Sequence, residues 1–115
     1  MPDITIVENF ITLDDLKQLA KQRFGDMIKV VVDINKDKMA IGGELHADEE
    51  ALLLQNGSDQ TDLWGINIYV DQPRDNWLEF DSMINLKPSQ DNNSRSVEDV
   101  EIRKRIAEIV NQLVK

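Results

Sequence analysis

The spacing of apolar residues changes twice along this chain, and these changes limit the possible folds more than any other feature of the sequence. Between Thr12 and Gly25 the apolar residues recur at helical spacing, whereas after Gly25 they alternate with a period of two. At Ser96 the helical spacing returns. Helices before and after a run of strands predict a two-layer α+β fold, with the N- and C-terminal helices on one face of an antiparallel sheet.

The two terminal helices are predicted near residues 13–24 and 97–114. Thr12 and Ser96 are each followed three residues later by an aspartate, which resembles a capping box. Gly25 is a common helix stop. The apolar stripe of the last helix consists of Ile102, Ile106, Ile109, Val110 and Leu113.

Alternation with a period of two predicts an antiparallel sheet of about four strands. The predicted strands lie near residues 27–34, 39–46, 64–71 and 77–86. A turn at 35–36 would pair the first two strands so that Val32 lies opposite Met39, which keeps one face apolar. The next inward pair is Val30 with Ile41. We expect the first and last helices to cover this apolar face.

Residues 47–56 are compatible with two structures. Acidic residues at 48–50 suit the positive end of a helix dipole, and Asn56 with Gly57 is a typical helix stop. The three leucines at 52–54 are equally compatible with a buried strand, because so short a run has no decisive period. We favour the helix.

The remaining segments are short or polar. Ile4 and Ile6 suggest an extended lead-in that forms an edge strand. Residues 87–95 contain Pro88 and a pair of asparagines, which predicts a flexible loop. A chain of 115 residues has a common domain size, so we expect a single domain over residues 1–115.

Charge and composition argue against several classes of protein. The 13 basic and 22 acidic residues leave a net charge of −9, and such a surface repels the phosphates of nucleic acids. No apolar run approaches the roughly 18 residues of a membrane helix, and no secretory signal is visible, so we expect no membrane association. The absence of cysteine excludes disulfides and thiolate ligands, and it fits a cytoplasmic location.

The acidic charge is concentrated in one segment. From Met39 to Pro73 the chain has no Lys or Arg. The same segment carries the only histidine, His46, and seven carboxylates: Glu44, Asp48, Glu49, Glu50, Asp59, Asp62 and Asp71. We expect any chemistry of this protein to lie here, whereas the simpler interpretation is a solvated acidic surface.

Strand alternation places a set of polar side chains together on one face of the sheet. If the apolar residues of each strand face the helices, the other face displays Asp33, Glu44, His46, Asn67, Tyr69, Glu79 and Asp81. Glu44 and His46 would then lie about 7 Å apart along one strand. The favoured alternative to a site is that this face is simply solvated, since the wet face of an antiparallel sheet is polar.

Three kinds of site are compatible with these residues. As metal ligands, Glu44, His46 and Asp48 suit a divalent cation such as Mg²⁺, Mn²⁺ or Ca²⁺, whereas one histidine without cysteine cannot build a structural zinc site. As catalytic residues, Glu44 could orient His46 for acid–base chemistry, although a lone histidine more often has a structural role. The candidate binding residues are Asp48, Asn67, Tyr69 and Trp64. A tryptophan contacts a ligand only where it is exposed, and core packing is its more common role.

Several segments of the chain resemble one protein family. The resemblance is carried by Gly43-Glu44-Leu45-His46-Ala47-Asp48, Gly57-Ser58, Gln60, Asp62-Leu63-Trp64-Gly65, Asn67 and Ser82-Met83-Ile84-Asn85-Leu86-Lys87-Pro88. In these segments the chain resembles a family of short bacterial and archaeal proteins that is classified only as a domain of unknown function. The resemblance implies a small stand-alone protein and brings no activity or catalytic residue with it.

Three functions fit the sequence. We favour a small non-catalytic binding or regulatory protein that works with a protein partner or as a homo-oligomer, because no catalytic arrangement is recognised. The alternative is a divalent-metal-dependent hydrolase or nuclease-like enzyme that uses Glu44, His46 and Asp48. The third is a purely structural acidic domain.

Overall fold

A five-stranded antiparallel sheet forms the centre of the fold in the computed structural model, which describes residues 3–115. The strands are β1 (Thr5–Val7), β2 (Met27–Asp33), β3 (Lys38–Ile41), β4 (Leu63–Tyr69) and β5 (Leu78–Glu79). The helices are α1 (Leu13–Arg23), α2 (His46–Gln55) and α3 (Val100–Leu113), and 3₁₀ turns occupy Gln60–Asp62, Met83–Asn85 and Pro88–Gln90. The strand order is β1-β3-β2-β4-β5, and the predicted α+β class is confirmed.

The sheet has five strands, the four predicted by alternation and the lead-in, which forms the predicted edge strand on β3. Thr5 lies opposite Ile41 in antiparallel register. On its other side β3 pairs with β2, where Val32 lies opposite Met39 as predicted. The neighbouring predicted pair, Val30 with Ile41, is also present. Alternation within each strand was therefore sufficient to predict the register of this hairpin.

The terminal helices α1 and α3 cover one face of the sheet, as predicted. Leu16 and Ala20 of α1 are fully buried there, and so are Ile106 and Ile109 of α3. They pack with the inward side chains of β2, of which Val30 is fully buried. Full burial of one such aliphatic side chain contributes roughly 1.5–3 kcal/mol, so apolar stripes at helical spacing are sufficient to hold both helices on the sheet.

The second face of the sheet is covered as well, so the prediction of a solvated face is wrong. A smaller apolar cluster forms on this face from Val31, Ala40, Leu53 of α2 and Leu63, with Ile84 packed against it. The central strand β2 carries three valines in succession, and a strand that is apolar on both sides is buried on both sides. Helix α2 therefore adds a further layer to the two that the sequence predicts.

Local signals set the ends of the helices. Thr12 caps α1, since its hydroxyl oxygen accepts a hydrogen bond of 3.1 Å from the backbone N–H of Asp15. The cap of α3 is Asp99 rather than the predicted Ser96, because the Asp99 carboxylate accepts a 2.8 Å bond from the backbone N–H of Glu101. Among residues 3–115, no helix combines the length and the hydrophobicity that crossing a membrane requires.

Two predicted strands are shorter than expected. Strand β3 ends at Ile41 because Gly42 has a φ of +93°, where a Cβ would also lie 2.9 Å from the backbone oxygen of Asp3. The chain then leaves the sheet and begins α2, which confirms the helix predicted near 47–56. The strand predicted near 77–86 is reduced to β5 and is followed by a 3₁₀ turn.

Asp33, which alternation predicts on the solvated face, is instead fully buried at the end of β2. Its Oδ1 accepts hydrogen bonds from the backbone N–H groups of Asn35 at 2.9 Å and Lys36 at 3.0 Å. Its Oδ2 accepts a 2.6 Å bond from the hydroxyl of Ser58. The carboxylate thus holds the β2–β3 turn at the predicted position.

The segment of residues 82–96, here called the edge segment, lies along the free edge of β4, and its Asn85 side chain bonds to the backbone of that strand. The Asn85 carboxamide accepts a 2.8 Å hydrogen bond from the Gly65 N–H and donates one of 2.9 Å to the Gly65 carbonyl. These two bonds reproduce the pairing of a neighbouring strand, and Asn85 is fully buried. Ser82 packs directly on Gly65, where an added Cβ would lie 2.5 Å from the Ser82 Cβ.

A second buried asparagine organises the edge segment itself. Asn92 donates through its side-chain nitrogen to the carbonyls of Asn85 and Ser96, each at 2.7 Å. Its Oδ1 accepts a 2.9 Å bond from the backbone N–H of Glu98. The segment for which composition predicts a flexible loop therefore contains a network of internal hydrogen bonds around a buried amide.

Replacing Gly65 with alanine should destabilise the protein by about 1–3 kcal/mol, because the added Cβ overlaps Ser82. Urea denaturation measures the free energy of unfolding. Ser82→Gly removes the overlapping atom, so the double variant Gly65→Ala/Ser82→Gly should lose less stability than the sum of the two single variants. Strictly additive losses would show that this contact does not determine the stability of the edge segment.

Candidate functional site

A cleft of about 170 Å³ lies between the start of α2 and the edge segment. Its lining residues are Lys29, Leu45, His46, Ala47, Ser82, Met83, Ile84 and Arg95. Strand β2 supplies the lysine, the start of α2 supplies residues 45–47, and the edge segment supplies the others. This cavity is called the His46 cleft below.

His46 lies in the wall of this cleft and is only 8% exposed. Its Nε2 is 2.7 Å from the carbonyl oxygen of Ile66, and a carbonyl can only accept, so Nε2 carries the hydrogen. Burial lowers the pKa of His46 below its ordinary value, while the hydrogen bond to Ile66 acts in the opposite direction. At neutral pH the ring is therefore neutral, and Nδ1 keeps its lone pair. The cleft thus contains a fixed imidazole that can accept one hydrogen bond.

Two basic side chains bring positive charge to the His46 cleft. Arg95 is already paired, since its Nε lies 2.8 Å from a carboxylate oxygen of Asp81. Lys29 has no carboxylate within ion-pair distance among residues 3–115. Its ammonium lies 5.5 Å from the centre of the Phe24 ring, a weak cation–π contact. Of the two basic residues that line this cleft, the half-buried Lys29 is therefore the one without an ion-pair partner among the described residues.

Two exposed apolar side chains border the same cleft. Leu45 is 55% exposed and Met83 is 61% exposed. Single exposed apolar residues are ordinary on protein surfaces, but these two lie beside one opening that also contains polar groups. The cleft therefore combines an apolar rim with a cationic and hydrogen-bonding interior.

Glu49 lies on the inner side of α2 and is fully buried. Its Oε2 accepts a 3.0 Å hydrogen bond from the backbone N–H of Gly43, whereas its Oε1 has no partner among the described residues. Burial raises the pKa of Glu49 well above its ordinary value, and the Gly43 hydrogen bond opposes that rise. Lys29 also opposes the rise, and Asp48 adds to it. The environment thus favours the protonated, uncharged form of this carboxyl group.

A strip of hydrogen-bonded polar side chains continues from the cleft along β4. The Asn67 Nδ2 donates a 2.8 Å bond to Glu79, and the Tyr69 hydroxyl donates one of 3.2 Å to the same carboxylate oxygen. Burial and the Glu79 carboxylate raise the pKa of Tyr69, so its hydroxyl keeps its proton. His46 bonds to Ile66, the residue before Asn67. The structure therefore brings His46, Asn67 and Tyr69 to one face of the sheet.

The other predicted site residues lie elsewhere. The carboxylate of Glu44 lies 3.8 Å from Arg23 of α1, because β3 ends before Glu44 and strand alternation no longer applies to it. Asp48 is exposed to solvent. Trp64 is 1% exposed and belongs to the main core, so it is not available to a ligand at the surface. Within residues 3–115 no group of three or more His, Cys, Asp or Glu residues could hold a metal ion, so Glu44, His46 and Asp48 do not form the predicted ligand set.

Three polar residues of the His46 cleft were not among the predicted site residues: Lys29, Ser82 and Arg95. Lys29 lies between the inward residues Ile28 and Val30 of β2, so alternation could have placed it on the other face of the sheet. Ser82 and Arg95 belong to the edge segment, which Asn85 attaches to β4. No local pattern predicts that attachment.

Comparison with known proteins identifies a family and nothing more. The model of one family, described as protein of unknown function (DUF5674), matches residues 5–113. No curated protein and no solved structure matches the chain. The resemblance to an uncharacterised family is thereby confirmed, and the family brings no known activity with it.

The chain has a single histidine, so the state of His46 can be measured directly. We expect the ring to titrate below 6.5, because burial disfavours the imidazolium, and to carry its hydrogen on Nε2 when neutral. Since the folded pKa is lowered, the contribution of His46 to stability is present above pH 6.5 and is lost as the pH falls. NMR of the ring signals during a pH titration measures both properties. A midpoint at or above 6.5 would contradict the lowered pKa, and a hydrogen on Nδ1 would contradict the bond from Nε2 to Ile66.

Glu49→Gln should stabilise the protein at neutral pH. Glutamine retains an acceptor for the Gly43 N–H and cannot ionise. The folded pKa of Glu49 is raised, so ionising this buried carboxyl group destabilises the native chain. Its free energy of unfolding therefore falls as the pH rises above 4.5. The loss is at most about 1.4 kcal/mol per pH unit.

Urea denaturation of the native chain and the variant between about pH 4 and pH 8 tests this expectation. Glu108→Gln, on the exposed side of α3, removes the same charge and serves as the control. The increase in the free energy of unfolding caused by Glu49→Gln should grow with pH, whereas the effect of Glu108→Gln should show no such trend. Parallel pH profiles for both variants would contradict the assignment to Glu49.

Proposed function

The chain belongs to the DUF5674 family, whose function is unknown, and from the geometry of its cleft we propose that it is a non-catalytic binding protein that holds a carboxylate of a partner polypeptide. One observation carries this proposal. Lys29 is a half-buried cation without an ion pair among residues 3–115, and it lines the His46 cleft. A carboxylate would supply the negative charge that Lys29 lacks and two oxygen atoms that accept hydrogen bonds.

The start of α2 adds to the positive potential of the His46 cleft. Leu45 is the N-cap of this ten-residue helix, and among the described residues it provides no side-chain hydrogen bond to the first N–H groups. Residues 45–47 line the cleft. An anion near a helix N-terminus is typically favoured by about 0.3–1 kcal/mol. The helix end and Lys29 therefore act on a carboxylate in the same direction.

Acidic residues near the cleft do not cancel this attraction. Burial holds Glu49 toward its uncharged form, and Glu44 is paired with Arg23. Asp48 is exposed, so water screens its charge. The net charge of −9 slows the approach of any anion, but salt screens exposed charges beyond about 10 Å at 0.1 M. The same net charge opposes self-association, which favours a different protein over a second copy as the partner.

The size of the cleft fits a carboxylate group of a polypeptide better than a whole metabolite. Pockets for drug-sized ligands measure roughly 300–1,000 Å³. The His46 cleft, at about 170 Å³, admits an acidic side chain or a terminal carboxylate. Leu45 and Met83 at the rim would then contact an apolar side chain next to it. The ligand class is therefore an acidic group adjacent to an apolar residue.

Two small probes test this recognition, N-acetyl-leucine and N-acetyl-leucinamide, which differ only in the carboxylate. In an NMR titration, the acid should shift the amide signals of residues 45–47 and 82–84, with a dissociation constant on the order of millimolar. The uncharged amide should bind at least about tenfold more weakly, because it cannot compensate Lys29.

Lys29→Met removes the unpaired charge and keeps an unbranched apolar side chain, so it should weaken binding of the acid by about tenfold. Lys21→Met is the matched control, since Lys21 is exposed on α1 and α1 covers the opposite face of the sheet. Equal binding of acid and amide, or equal losses in the two variants, would refute recognition of a carboxylate at this cleft.

A further inference from the structure

A second cleft shares Ile84 with the His46 cleft and takes no part in the function proposed above. Its volume is about 200 Å³, and its lining residues are Gln60, Thr61, Ile84, Leu86, Lys87, Pro88, Ser89 and Gln90. Among the described residues, Lys87 is the only ionisable one in that lining, and it is only 7% exposed. Lysine is rarely buried to this extent, so its position requires an explanation.

The side chain of Lys87 is held firmly at both ends. Its backbone N–H donates a 2.9 Å bond to Asn92, and its carbonyl accepts one of 3.1 Å from the Asn92 N–H. Its Nζ donates a 2.8 Å bond to the backbone oxygen of Gln60 and lies 5.4 Å from the centre of the Trp64 ring. A lysine amine fixed in this way has already lost most of its rotamer freedom, which lowers the entropy that a reaction at Nζ would lose.

Burial also changes the chemistry of this amine. It lowers the pKa of Lys87, while the carboxylates of Glu50 and Asp62 act in the opposite direction. More of the amine is therefore unprotonated near neutral pH than in an exposed lysine. An unprotonated amine that lines a cavity is the arrangement by which lysines react with carbonyl compounds.

Burial alone does not distinguish Lys87 from a structural lysine, and Lys38 shows the difference. Lys38 is also 7% exposed, and its ammonium lies 3.9 Å from the carboxylate of Glu8. Lys38 does not line the second cleft. Lys87 thus combines burial with access to a cavity, whereas Lys38 is placed beside a counter-charge.

We propose that Lys87 is a covalent attachment site for a small neutral aldehyde or ketone. The Lys87 amine adds to the carbonyl carbon, which forms a C–N bond, and one amine hydrogen passes to the oxygen. The resulting hydroxyl then leaves as water with one proton from solvent, and the nitrogen lone pair forms the C=N bond. Overall, the amine, the carbonyl compound and one proton give a protonated imine and water. The product keeps its positive charge near Glu50 and Asp62.

The surroundings select the class of carbonyl compound. The carboxylates of Glu50 and Asp62 disfavour an anionic compound such as a keto acid. Ser89 and Gln90 line the cleft and provide polar groups that can bond a hydroxyl, and Gln90 is oriented by a 3.1 Å bond to Thr61. A small hydroxyaldehyde therefore fits this cleft better than an acid or a purely apolar aldehyde.

Trapping with glycolaldehyde and sodium cyanoborohydride tests the proposal, because the reductant converts an imine to a stable secondary amine. Mass spectrometry of the digested protein then gives the rate at each lysine. Lys87 should be modified at least about tenfold faster than Lys36, which is exposed, and than Lys38, which is equally buried. A rate at Lys87 no higher than at either control would overturn the proposal.

Two variants separate attachment from structural effects. Lys87→Arg keeps the positive charge but cannot form an imine. The fast modification should therefore disappear, while the rates at Lys36 and Lys38 stay unchanged. Fast modification that persisted in this variant would overturn the assignment to Lys87.

Gln90→Ala should slow the reaction with glycolaldehyde and leave the reaction with propionaldehyde unchanged. An equal effect on both aldehydes would overturn the preference for a hydroxyaldehyde.

Discussion

The pairing of the Asn85 carboxamide with the Gly65 backbone is the interaction on which both clefts depend. One side chain takes the place of a strand at the edge of β4, and it brings the edge segment against the second face of the sheet. Ile84, the residue before Asn85, completes the apolar cluster beneath α2 and lines both clefts. If Asn85 or Gly65 moved, buried hydrogen-bonding groups of both residues would lose their partners, which is costly. This attachment is therefore stable and specific in its geometry.

The fold brings basic residues next to a segment that has none of its own. Residues 39–73 contain no Lys or Arg, yet the structure places cations from other segments near their acidic groups. Lys29 acts on Glu49, and Lys87 acts on Glu50. The exposed carboxylates of this segment remain in water, whereas the buried one at Glu49 responds by a raised pKa. In each cleft, a basic residue from outside the acidic segment lies beside residues of that segment.

Much of the fold could be predicted because the relevant information is local. Thr12 caps α1 through a residue three positions away, and the β2–β3 register follows from parity across a short turn. The apolar stripe of α3 is also a local pattern. Predictions failed where a distant contact decided the outcome. Gly42 ends β3 beside Asp3, and this removes Glu44 from the strand on which its pairing with His46 depended.

By itself, the sequence determined the order of the main elements, the antiparallel sheet and the helices on its first face. It also showed that His46 lies within an acidic segment without Lys or Arg. Only the tertiary structure decided that the second face is covered, that Trp64 is buried, and that Lys29 and Arg95 meet His46. The physical reason is that periodicity records which side of its own element a residue occupies. Which elements then face each other depends on packing and on buried hydrogen bonds between distant segments, and in this protein the decisive bond is made by an asparagine with no periodic signal.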